Sequence, residues 1–148
     1  MLSTILKAAE LRLSRLEEDP QFASEPQDDF TITQFCGEWE STNPATRGIS
    51  RVSIRQEDKG LRVHAFWAFD PEPKDWGAVT AEVFTDAAHS HRMRAFRAIY
   101  DFGFMESLLQ AKTEKGVLVI ASFNRFKDGS GRASYFSREF MFRNSNRE

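Results

Sequence analysis

Residues 93–127, MRAFRAIYDFGFMESLLQAKTEKGVLVIASFNRFK, decide the fold. Phe96, Ala98, Tyr100 and Phe102 alternate with Arg97 and Asp101, the period of a half-buried strand. A second extended run covers 104–114 and a third covers 117–127. Between the last two stands Glu114-Lys115-Gly116, whose composition is that of a hairpin turn. Such connectors are too short for a crossover helix, so neighbouring strands must run antiparallel. The third run is apolar on both faces at Val117, Leu118, Val119 and Ile120. Its outer side therefore asks for cover, and an N-terminal helix could supply it.

Working outward, five further extended runs complete the set: 35–42, 49–58, 61–70, 76–85 and 132–143. Asp58-Lys59-Gly60 and Asp128-Gly129-Ser130-Gly131 are further turns by composition. Eight meandering strands remove their exposed edges by closing. The expected fold is mainly β, an eight-stranded antiparallel up-and-down barrel with an N-terminal α-helix. Alternation points Val52 and Ile54 inward, with Val63, Ala65 and Trp67, and with Val79, Ala81 and Val83. It also selects Phe136, Phe140 and Phe142 as inward, against Ser137 and Glu139. The same parity puts Tyr100 and Arg138 inside, and a buried arginine demands a partner or a ligand. A slip of one residue would invert any of these sets.

Upstream, Leu2, Ile5, Leu6, Ala9, Leu13 and Leu16 make one apolar stripe at helical spacing, which Pro20 ends. The chain of 148 residues thus divides into a helix (1–20), a polar linker (21–34) and a barrel (35–143), all one domain. The helix packs on the barrel, joins two copies into a homodimer or, ranked last because no lysine cluster surrounds the stripe, anchors at a membrane surface. Fourteen phenylalanines among the residues favour sheet. A formal charge of −2 speaks against a nucleic-acid partner. Lys7, Glu10, Arg12 and Arg15 break any signal-peptide core, and no apolar run suits a membrane helix. With Cys36 the single cysteine, a reducing, cytoplasmic setting is expected.

Gly37-Glu38-Trp39 opens the first barrel strand, and Arg143 ends the last. In a closed meander these two strands are antiparallel neighbours, so Trp39 and Arg143 meet at one end. The pattern resembles the calycin barrels, of lipocalin or avidin type, in which the Gly-x-Trp tryptophan stacks with an arginine at the closed base. A Thr-Asp-Tyr-like turn is missing, since Ala87 follows Thr85-Asp86. Separately, Thr46-Arg47-Gly48-Ile49-Ser50-Arg51, Val63-His64-Ala65, Asp75-Trp76-Gly77 and Asp128-Gly129-Ser130-Gly131-Arg132 resemble a recurrent bacterial barrel domain. That domain often has a cysteine pair before Asp-Trp-Gly. Residues 69–74 here contain none, so no thiol role carries over. Both resemblances imply a barrel; neither implies an activity.

The connectors after strands one, three, five and seven gather at the end opposite Trp39, where lipocalin-like barrels open. Arg47, Lys74, Trp76 and Arg132 are expected around this mouth, with Trp67, Tyr100 and Arg138 as interior ligand-binding candidates. Arginine suits planar anions and tryptophan gives a flat apolar wall. The function expected is non-catalytic binding of a small amphiphilic or acidic molecule. A filled barrel acting as an interaction module is the alternative. A cofactor-free isomerase or lyase using Tyr100, Arg138 or His64 ranks third. No metal or cofactor is expected, because His89 and His91 alone cannot complete a zinc site.

Overall fold

The structure is a computed structural model that describes residue 18 and residues 32–58 and 60–145. The helix expected over 1–20, and most of the linker, lie outside the described residues. Eight strands follow a short 3-10 turn at Ile32–Gln34: β1 (Gly37–Ser41), β2 (Ile49–Glu57), β3 (Gly60–Trp67), β4 (Lys74–Thr85), β5 (Met93–Asp101), β6 (Met105–Glu114), β7 (Val117–Phe126) and β8 (Tyr135–Arg143). They form a closed barrel in sequence order, every neighbour antiparallel. Lys115 (φ 52°) and Gly116 (φ 81°) both take left-handed backbone between β6 and β7, as a two-residue type I′ turn requires.

One end of the barrel is closed by a floor built around Trp39. Trp39 pairs with Arg143 across the β1–β8 seam, and the guanidinium lies 4.7 Å from the indole centroid. Trp39 Nε1 donates to the Phe35 carbonyl (2.9 Å), and Arg143 donates to the Gln34 carbonyl (2.8 Å). Phe35 is fully buried and meets Phe96 edge-on at 5.4 Å. Above this floor Val52, Ile54, Leu61, Val63, Leu109, Leu118, Ile120 and Met141 pack solidly.

Alternation correctly orients β2, β3, β5 and the outer half of β4, but β8 is inverted. Ser137, Glu139 and Met141 face the interior, while Phe136, Phe140 and Phe142 face outward and are exposed. Arg138, expected inside, is exposed, its guanidinium 5.0 Å from the Phe140 centroid. The pairing with β7 explains the inversion. Ser122 and Ser137 are register partners, and their hydroxyls bond at 2.7 Å within the barrel. A hydroxyl partner inside outweighs the apolar content of the opposite face, since a buried unpaired hydroxyl is costly.

Candidate functional site: an aromatic mouth

The mouth end begins with a bulge. Between β3 and β4 the register shifts, so that Trp76 and Gly77 stand opposite Ala65 alone. Counting back by twos from Val79 would point Trp76 outward. The extra residue, made possible by Gly77 at φ 79°, reverses the parity and turns Trp76 against the core. The bulge also frees backbone groups from the ladder. Tyr100, on β5, satisfies them: its hydroxyl donates to the Gly77 carbonyl (2.7 Å), with Val63 O at 3.2 Å, and accepts the Ala65 amide (3.1 Å). Burial pushes the Tyr100 phenol up to about 12, so it is a neutral structural strut at ordinary pH.

Trp76 stacks on Trp67, centroids 5.0 Å apart and planes within 9°. From this pair a continuous girdle of rings runs around the mouth. Trp76 meets Phe102 at 4.9 Å, Phe102 meets Phe104 at 6.4 Å, and Phe104 meets Phe126 at 6.4 Å. Phe126 then meets Tyr135 at 6.1 Å, and Tyr135 returns edge-on to Trp67 at 6.5 Å. All six rings are partly or largely exposed. They come from the ends of β3 and β7 and the starts of β4 and β8, with Phe102 and Phe104 on the β5–β6 connection. Sequence reading found Trp67 and Trp76 but missed Phe102, Phe104, Phe126 and Tyr135 as members. Their signal is an aromatic at or beside the mouth end of each strand from β3 to β8.

Beneath the girdle, one wall is polar. Ser107 donates to Asn124 Oδ1 (2.6 Å), and the Asn124 amide donates to Ser122 (3.0 Å). Glu139 is inward and nearly buried, accepting hydrogen bonds from Ser41 (2.7 Å) and from Thr46. Gly48 closes over this carboxylate. A Cβ there would lie 2.9 Å from Glu139 Oε1 and 3.4 Å from Ser137 Oγ. Gly48→Ala should therefore displace the carboxylate from its hydroxyl donors and cost about 1–2 kcal/mol, read from denaturant midpoints at constant m.

The charged candidates are placed differently. Arg132 lies 4.0 Å from the Phe126 centroid and pairs with Asp128 at 2.7 Å. Hydrogen bonds from Ser130, reinforced by Arg132, pull the Asp128 carboxyl down to about 2. Arg132 thus belongs to the rim, but its charge is already answered within its own loop. Lys74 sits over Phe69 at 4.5 Å, and Arg47 is exposed on the β1–β2 connection. Arg138 leaves the site altogether. His64 is on the outer face, stacked on Phe66 at 4.5 Å and 2.5 Å from Asp75 Oδ1. The three groups an isomerase or lyase would use, Tyr100, Arg138 and His64, do not converge. Among the described residues no cluster of three or more potential metal ligands occurs.

No protein-family model, curated protein or solved structure matches this chain.

Proposed function

We propose that this protein is a calycin-like binding barrel that holds a small, planar, largely apolar molecule at its mouth, without catalysis. The observation that carries the reading is the girdle of six half-exposed aromatic rings. A contiguous apolar surface left open to water marks a site of ligand or partner uptake. Stacked indoles favour flat ligands, which gain ring-to-ring contact as well as area. The Trp39–Arg143 base supports the calycin comparison, since it closes the end opposite the mouth. The expected preference for acids weakens, because Arg132 is neutralised by Asp128; Arg47 and Lys74 are the cations left to attract a carboxylate. A second reading, a filled barrel serving as an interaction module, draws support from the solid packing of the lower half.

A neutral naphthalene fluorophore and its sulfonated counterpart test the proposal by titration. Saturable one-to-one binding with quenching of tryptophan emission is expected for both. Trp76→Ala should weaken it at least about tenfold, a loss of about 1.4 kcal/mol, with barrel circular dichroism retained. Phe140→Ser, on the outer wall, should leave affinity unchanged. Absence of saturable binding, or equal weakening by Phe140→Ser, would remove the mouth as the site.

A further inference from the structure

The inversion of β8 leaves an apolar field on the outside of the barrel. In register across four strands, Ile99, Leu108, Phe123 and Phe136 form one row, and Val119 and Phe140 extend it toward the floor. Ile99, Phe123, Phe136 and Phe140 are each more than 40% exposed. Beside them a shallow groove of about 280 Å³ is floored by Ala95, Val119 and Ala121 and flanked by Lys112 and Arg138. Small residues in the trough and large rings along its margin suit a rod-shaped occupant.

We propose that the occupant is the amphipathic segment 2–19 of the same chain, docked in cis along the outer face of β5–β8. Four observations converge on it. The described chain enters the barrel floor beside this face: Gln34 donates to the carbonyl of Met93, where β5 begins, and accepts from Thr113 near the end of β6 (3.4 Å). Residues 20–31 then provide a tether that spans up to about 40 Å when extended. Eighteen helical residues measure about 27 Å, close to the roughly 33 Å of a ten-residue strand. In a helix the stripe Leu2, Ile5, Leu6, Ala9, Leu13 and Leu16 would occupy one side, with Glu10 on its flank, roughly 90° away at 100° per residue. Glu10 would there complement Arg138, which flanks the groove. Glu18 falls roughly 170° from the stripe at 100° per residue, and it is helical and exposed.

Cysteine pairing in the full chain tests the docking, in a Cys36→Ser background. Leu13→Cys with Ala121→Cys, the latter in the groove, should close an intramolecular disulfide under mild oxidation. Leu13→Cys with Arg62→Cys, on β3 across the barrel, is the control. The first pair should cross-link at least about tenfold faster, as an intramolecular effective concentration requires. Hydrogen exchange of the unmodified full chain should show slow amides over 5–16. Cross-links that form only between two chains would assign the face to a second copy. Equal rates for the two pairs, or fast exchange over 5–16, would likewise overturn docking in cis. These outcomes are independent of ligand uptake at the mouth.

Discussion

Trp39→Ala should lower stability by about 3–5 kcal/mol, the cost of deleting a buried large aromatic. Trp39 is 1% exposed and forms the centre of the floor. Its indole packs in the core, its Nε1–H holds the Phe35 carbonyl, and its face carries Arg143. Removing it opens a cavity and leaves the carbonyl without its donor. It also releases an arginine whose other bond pins the entering chain at Gln34. Since a domain of this size is stable by about 5–15 kcal/mol, about a fifth or more of that margin would vanish. Urea unfolding followed by circular dichroism gives the number. Trp39→Phe keeps most of the buried area and should cost less, while Arg143→Lys keeps the charge but loses the flat stack. A Trp39→Ala loss below about 1 kcal/mol would show that the floor is not built as described.

The second large effect belongs to Tyr100→Phe. The substitution preserves ring volume and the edge contact with Trp76, centroids 5.3 Å apart. It removes only the hydroxyl, which satisfies Ala65 N–H and Gly77 C=O at the bulge. One buried and one partly buried backbone group lose this partner, at about 1–3 kcal/mol. The pH dependence separates this cause from generic repacking. The phenol ionises near 10 in the unfolded chain but at about 12 in the barrel. Its contribution is therefore complete below pH 10 and is lost as pH rises toward 12, by about 2–3 kcal/mol in all. Tyr100→Phe lacks this loss, so the stability gap between the two proteins should narrow over that window. A gap that stays constant between pH 10 and 12 would contradict the buried strut. Because the bulge also aims Trp76, ligand affinity should fall together with stability.

Most of the barrel can be read from period-two patterns and turn chemistry. Val63, Ala65 and Trp67 on one strand, and Phe96, Ala98 and Tyr100 on another, alternate cleanly because each has one wet face and one dry face. The meeting of Trp39 and Arg143 follows from topology alone once closure is assumed. Strand β8 defeats the same reasoning. Phe136, Phe140 and Phe142 are apolar and outward, whereas Ser137 and Glu139 are polar and inward, matched to Ser122, Ser41 and Thr46 on neighbouring segments. Alternation identifies two faces but cannot say which is dry when the interior carries its own hydrogen-bonding wall. The route by which Trp76 turns toward the core is hidden for another reason: a single inserted residue at Gly77 reverses parity, and bulges leave only a glycine as their trace. The girdle was partly visible as tryptophans. Its remaining rings become members only when strand ends from distant parts of the sequence are brought to one rim.

The seam between β1 and β8 has a consequence for how the cylinder can come apart. β1 is five residues long, half the length of β6 or β7. Only Trp39, Glu40 and Ser41 find register partners across it. The wall is thus narrowest at the line where both ends of the strand sequence meet, and local opening there requires the fewest broken ladder bonds. An unzipped β8 would present its free margin and its three outward phenylalanines together. That combination is the recognised starting point for strand exchange between molecules, so the Trp39–Arg143 clasp guards against assembly as well as unfolding.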